Sequence, residues 1–504
     1  MPTPSLPAEN PAGSRPAGRL FAAVLVLYAL TAYGGIRSPD GEAVYRVAES
    51  LALHGSFAVE EELDWRGFGL ARGRDGRLYS VFGPLQSLAE APFVAGANAI
   101  LGERSDAGGR VPFGPSFHVG DGLPAAVRGE RPTVPRPHAL RFAASWATVL
   151  AAAASVLVFF RLARRCGRSD RSALVAALLY GLGSLAWWYA GSDFSEPLAT
   201  LLALLSLDLL TRSDRRLVGP PRPDASAVAG LALGLSILAH VTSVLFVPLF
   251  ALYAGARSRT TGPTLRGGVA RLLRFAGGLA VPLAALALYN AARFGSPFET
   301  GRAVDPAAAA ALGYGRFVAP WAGLHGLLLS SGKGVLLYCP AVLLGVVAWP
   351  ALRRRHRILA DVLAGSVLTR LFFVAARSDW HGGFALGPRL LVPTIPFLLL
   401  PVAAWLAEGG GERFRLVAGV TLACVVQQLY FALAEVFGFL HLTNTANADF
   451  DWRVSPLLHL WQARPAPWWL SGHFVPLVWL WLGAAVILLP GLAWLLGRLR
   501  GEAG

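Results

Sequence analysis

Two carboxylates, Asp40 and Glu42, stand in the stretch SPDGE at 38–42, directly after an apolar run from Leu20 to Ile36. An acid just beyond the end of a membrane helix can stay ionised, because water and hydrogen-bond donors favour its charged form. It is therefore placed to take a proton as a general base. The same Asp40 also suits a helix cap, since its oxygen accepts from the free N–H groups of a first turn. A second acidic pair, Asp193 and Glu196, lies in SDFSEP, where Glu196 ahead of Pro197 can complement a helix dipole. Two cations stand at comparable boundaries: Lys333 in SSGKG, the only lysine of the chain, and Arg389 in GPRLL. Arginine grips a phosphate bidentately and lysine as a point charge, while either side chain can instead snorkel at an interface. His381 in DWHGGF offers a ring to a ligand or to the backbone of its own loop, and His240 reads as a buried polar contact. A metal shared by Asp40, Glu196 and His381 is an open alternative that no local ligand spacing supports.

Membrane helices must position these groups. The chain has 504 residues, 54% of them hydrophobic and 15% charged, with a mean hydropathy of +0.50. A soluble protein carries about 25% charged residues. Apolar stretches of about 17 to 25 residues alternate with short joints, the pattern of spanning helices. The net charge of +15 sits in arginine-rich joints at 161–168, 211–216, 256–260, 353–357 and 497–500. None interleaves arginine with aromatics, so the charge reads as cytoplasmic loops under the positive-inside rule, not as a nucleic-acid surface. Three scattered cysteines make neither a disulfide framework nor a metal knuckle.

Keeping every arginine cluster on one side gives a path of about twelve spans with both termini inside. They fall near 20–36, 141–160, 172–190, 197–211, two short ones within 227–255 meeting near His240, 274–291, 334–351, 358–376, 390–407, 415–436 and 474–496. Residues 1–19 read as a disordered cytoplasmic tail and 20–504 as one membrane domain. Outer segments at 37–140, 292–333, 378–389 and 437–473 hold most of the His, Asp, Trp and Gly-Pro content. Within 37–140, residues 40–54 form an amphipathic surface helix with Val44, Val47, Ala48 and Leu51 on one face and Arg46, Glu49 and His54 on the other. A second surface element follows at 76–102, and 103–137 reads as an irregular excursion. Trp187, Trp188, Trp321, Trp380, Trp452, Trp468 and Trp469 crowd the outer boundary as interfacial anchors.

The stretches SPDGEAVYRVAESLALHGS, GRDGRLYSVFGPLQSLAEAPF, SDFSEPLATLLALL, NAARFGSPFETG, GLLLSSGKGVLLYCP and DWHGGFALGPRLLVPTIPFLLL run from residue 38 to about 400. In that order the chain resembles the membrane glycosyltransferases of the GT-C fold, in particular the protein-mannosyltransferase-like group, glycosyltransferase family 39. The resemblance implies an all-helical polytopic fold with juxtamembrane helices. It also implies transfer of a sugar from a polyprenyl-phosphate donor to an extracytoplasmic acceptor, with inversion and without a required cofactor. On it, Asp40 maps to the catalytic base. Glu42, Asp193, Glu196, Tyr79 and His381 are candidates for binding substrate, and Lys333 and Arg389 for the lipid phosphate. The turn YSVFGP departs from the family, with Val81 and Phe82 where a basic residue often stands. The implied partners are the lipid-linked donor, the acceptor and membrane lipids in a bacterial inner or plasma membrane. Two other readings stay open: a transporter or flippase of lipid-linked solutes, and a catalytically inactive relative acting as a scaffold.

Overall fold

The computed structural model describes residues 14–59, 69–101, 138–212, 223–256, 265–302, 316–443, 449–463, 465–470 and 476–501. The expected excursion at 103–137 and residues 1–13 of the expected tail lie outside them. Residues 14–19 of that tail are helical and begin α1 (Ser14–Thr31). After it come α2 (Pro39–His54), a small sheet, α3 (Pro84–Leu101), α4 (His138–Gly167), α5 (Asp170–Leu182) and α6 (Glu196–Arg212). The second half holds α7 (Ser226–Ala239), α8 (Val247–Ala256), α9 (Leu265–Phe294), α10 (Trp321–Leu329), α11 (Val342–Arg355) and α12 (Arg357–Ala375). A broken helical segment from Arg389 to Ala407, α13 (Gly411–Ala432) and α14 (Leu477–Gly501) complete it.

Among the described residues the protein is all-helical apart from three short strands, and it is built to cross a membrane many times. Six described segments are long and apolar enough to span: Ala139–Gly167, Arg266–Phe294, Arg357–Ala375, Arg389–Ala407, Gly411–Ala432 and Leu477–Leu499. The remaining expected spans fall on shorter helices, such as α5 with 13 residues and α11 with 14. Large apolar side chains on α9 and α14 stay open, Leu288 at 72% and Ile487 at 79%, as lipid-facing positions do. The interruption expected near His240 is present. There α7 ends, His240 is extended, and a 3-10 turn (Val241–Phe246) leads into α8.

α4 runs through the centre, packed on α1, α3, α5 and α6, while α7 lies against α6 and α9. The α7–α9 crossing is close because it uses glycine. A Cβ on Gly230 would strike the Phe275 carbonyl, and one on Gly278 would strike that of Ala227. The strands β1 (Ala58–Val59), β2 (Leu70–Arg72) and β3 (Leu78–Ser80) form an antiparallel sheet in the order β1-β3-β2. It docks on the C-terminal end of α9 through Phe57 against Tyr289 and Tyr79 against Phe294.

Two surface expectations are corrected. Trp187 and Trp188 are core residues, 1% and 2% exposed, where the indole of Trp187 donates to Thr31. Trp321 is exposed, at 73%. On α2, Arg46 does not face away: it is 2% exposed, because α3 and α4 cover the polar side of the helix as well as the apolar side.

Candidate active site

Three residues far apart in sequence meet at one point. The Nε of Arg389 donates to Glu196 Oε1 at 2.6 Å, and its Nη1 donates to Asp40 Oδ2 at 2.7 Å. The guanidinium lies 3.6 Å above the centre of the Phe194 ring. His240 Nε2 stands 3.5 Å from the same Glu196 oxygen, and its Nδ1 is 2.7 Å from Thr242 Oγ1. Glu196 is fully buried, whereas Asp40 keeps 22% of its side chain exposed and Arg389 13%. Asp40 Oδ1 has no hydrogen-bond partner among the described residues. The open side of this clamp is therefore a half-exposed carboxylate held still by an arginine.

Local sequence explains the placement. α2 is capped by Ser38, whose hydroxyl accepts from Gly41 N, and Pro39 follows in the first turn. The cap expected of Asp40 is thus supplied two residues earlier, which frees the Asp40 carboxylate to turn toward Arg389. Asp193 fixes this entry from the other side. Its Oδ2 accepts from the backbone N–H groups of Arg37 at 2.8 Å and Ser38 at 2.7 Å. The fit is tight: a Cβ on Gly41 would collide with the Asp193 carboxylate, so only glycine fits there. Burial pushes Asp193 up to about 6, against the lowering effect of those N–H donors. Asp193 positions Asp40 by holding the start of its helix, and is itself only 3% exposed.

Glu42 lies elsewhere. It is 1% exposed and accepts from Arg46 at 2.7 Å and from Arg141 at 2.6 and 3.0 Å. Burial works to raise its pKa, but Arg141 and then Arg46 outweigh it and hold the carboxyl well below the usual range. It ties α2 to α4. Tyr79 sits on β3 with its hydroxyl donating to Asp75 Oδ2 at 2.7 Å, within the sheet and outside the clamp.

Lys333 is 3% exposed, and its Nζ donates to the carbonyls of Gly383 at 2.7 Å and Ala385 at 2.6 Å. Burial, relieved in part by Asp449, brings it down to about 8. His381 Nδ1 accepts from Gly383 N at 3.1 Å, and burial followed by Lys333 pushes the ring down to about 4. The histidine is neutral at pH 7 and serves the same loop as the lysine. Neither Lys333 nor His381 joins the clamp. No group of three metal-ligating side chains occurs among the described residues.

The sequence reading passed over Arg370 and treated His240 as a buried contact. Arg370 lies in α12, fully buried, with its Nε donating to the Leu390 carbonyl beside Arg389. Its signal in the sequence is an arginine inside an apolar stretch, SVLTRLFFV, where a charge is costly.

No protein-family model and no curated protein matches the chain. Among solved structures it is similar to ArnT from Cupriavidus metallidurans bound to undecaprenyl phosphate, at 14% identity over 95% of this chain and 78% of that one, with a TM-score of 0.49. It is also similar to the oligosaccharyltransferase AglB from Archaeoglobus fulgidus in complex with an inhibitory peptide and a dolichol-phosphate, at 10% identity and a TM-score of 0.43. That second likeness covers 98% of this chain but only 56% of AglB. Both likenesses are distant.

Proposed function

We propose that the chain is a membrane glycosyltransferase that moves a sugar from a polyprenyl-phosphate carrier to an acceptor on the extracytoplasmic side, with Asp40 as general base. The observation that carries this reading is the convergence of Asp40, Glu196 and Arg389 from three separate elements onto one clamp. An inverting transfer needs a single ionised base. Asp40 takes the proton of the acceptor hydroxyl on its unbonded Oδ1 as the acceptor oxygen attacks the anomeric carbon. The bond from that carbon to the phosphate oxygen breaks, and the lipid phosphate leaves with both bonding electrons. Arg389 holds Asp40 in orientation, and its positive charge faces the region where the phosphate gains charge.

The phosphate assignment follows what each cation already does. Lys333 gives its ammonium to two carbonyls and holds a loop, so the carrier phosphate is assigned to the arginine side of the site. A single displacement forms no covalent sugar–enzyme intermediate, so no enzyme nucleophile is needed. The test is to incubate the purified protein with a panel of polyprenyl-phosphate sugars and measure release of the lipid phosphate. Release with one sugar and its loss in Asp40→Asn support the reading. Absence of turnover across the panel, with bound lipid and folded protein, would sink it.

A further inference from the structure

Arg370 is the most completely buried arginine near the clamp, and its bonding is incomplete. The side chain has 0% exposure, and only Nε has a partner, the Leu390 carbonyl. Both terminal nitrogens, Nη1 and Nη2, are buried without a hydrogen-bond partner. No carboxylate forms an ion pair with it among the described residues. Glu196 and His240 interact with it electrostatically through space. Across that space Glu196 Oε2 is also buried and unpartnered. The apolar wall is Phe246, whose ring centre lies 5.6 Å from the guanidinium carbon.

An unpaired guanidinium in a membrane helix is expensive unless it serves a ligand. α12 begins at Arg357, so Arg370 stands roughly 20 Å along it, at about 1.5 Å per residue, and about one and a half turns short of its C-terminal end at Ala375. The Leu390 carbonyl that Arg370 Nε reaches adjoins Arg389, which places Arg370 beside the clamp. The two free nitrogens form the planar edge that grips a phosphoryl group bidentately.

Resting on the glycosyltransferase reading above, we propose that Arg370 is the phosphoryl-binding residue of the site, gripping the phosphate of the lipid carrier through Nη1 and Nη2. The unpartnered Glu196 Oε2 then receives a hydroxyl of the sugar that the phosphate carries. Arg389, already shared by two carboxylates, orients the base, and Arg370 holds the leaving group. The two arginines divide the work because one side chain cannot face both carboxylates and the phosphate with its full set of donors.

The experiment uses the full chain in lipid nanodiscs and three probes: a long-chain polyprenyl phosphate, the matching polyprenol, and inorganic phosphate. Arg370→Gln keeps an amide near Leu390 O and removes the charged edge. It should bind the polyprenyl phosphate on the order of 30-fold more weakly, the loss expected for hydrogen bonds to a charged group, with polyprenol binding unchanged. The unliganded variant should melt at the same temperature as the wild type or higher, because an uncompensated buried charge has gone. A purely structural arginine would give the opposite, a lower midpoint. Arg370→Lys keeps a cation without the two-pronged edge and should fall between wild type and Gln, which preserves the test if the Gln variant does not fold.

Equal binding of polyprenyl phosphate by wild type and both variants overturns the assignment to Arg370 and leaves the transferase reading standing. A wild type that does not distinguish polyprenyl phosphate from polyprenol overturns that reading, and the assignment with it. Inorganic phosphate bound in an Arg370-dependent way, with no gain from the lipid chain, overturns the lipid as the source of the phosphoryl group.

Discussion

Asp40→Asn separates chemistry from architecture. In the structure Asp40 accepts one bond, 2.7 Å from Arg389 Nη1, and 22% of its side chain remains exposed. The oxygen of asparagine can accept the same bond, and Arg389 keeps its other partner, Glu196. What disappears is one negative charge in a partly exposed pair, worth about 1 kcal/mol of stability after solvent screening. Removing a general base costs about 10²- to 10⁴-fold in rate, or roughly 3 to 5 kcal/mol of barrier. The rate loss should therefore exceed the stability loss several-fold in energy. The assay is single-turnover release of lipid phosphate per folded molecule, beside a thermal unfolding midpoint. A rate within tenfold of wild type refutes Asp40 as the base. A collapse in stability with an unchanged rate per folded molecule shows instead that Asp40 only bolts α2 to Arg389.

Three further predictions concern groups outside the clamp. Glu42→Gln leaves two buried guanidiniums, those of Arg46 and Arg141, without their counter-charge. It should cost about 3 to 5 kcal/mol, read as a lower thermal midpoint, while transfer per folded molecule persists; normal stability with lost transfer would return Glu42 to the substrate. Lys333→Met removes two charge-assisted bonds to the loop at 383–385 and should cost about 2 kcal/mol, seen as faster proteolysis there, with carrier affinity unchanged. Lost affinity in an intact fold would instead give Lys333 the phosphate. Glu90, on α3, has its pKa pushed by burial up to about 8, from 4.5 when free, with Oε2 unpartnered. Its folded pKa is raised, so its contribution to stability is complete below about 4.5 and is lost as pH rises through about 8. Thermal midpoints of wild type minus Glu90→Gln should therefore fall between pH 5 and pH 8.5; a flat difference would mean that Glu90 is ionised throughout.

The membrane-crossing character and the break at His240 were legible because hydropathy is a local property. Burial of charge was not. Arg46 and Arg141 look like ordinary polar residues in the chain, and only the packing of α2, α3 and α4 brings them onto Glu42. Trp187 and Trp188 follow the pattern of an interfacial belt, yet Trp187 bonds Thr31 of α1 and Trp188 packs against Tyr33 and Phe437. Lys333 stands out as the only lysine, but its partners are backbone carbonyls, which have no sequence signature. Arg370 was visible as a charge inside an apolar run. Its meaning depends on what it fails to touch, and that cannot be read without coordinates.

Partners separate these charges more cleanly than position does. Glu42 and Glu196 are both buried, and both pair with arginine. Glu42 meets two arginines and both of its oxygens are bonded, so a ligand has nothing to add there. Glu196 leaves Oε2 unbonded, and its arginine is shared with an exposed acid. Buried groups left unsatisfied cost stability, roughly 1 to 3 kcal/mol each, and three such atoms belong to Glu196 and Arg370. A ligand that brings acceptors for Arg370 and a donor for Glu196 removes both penalties at once. A phosphoryl group attached to a hydroxylated ring meets that description, and an all-apolar or simple cationic solute does not.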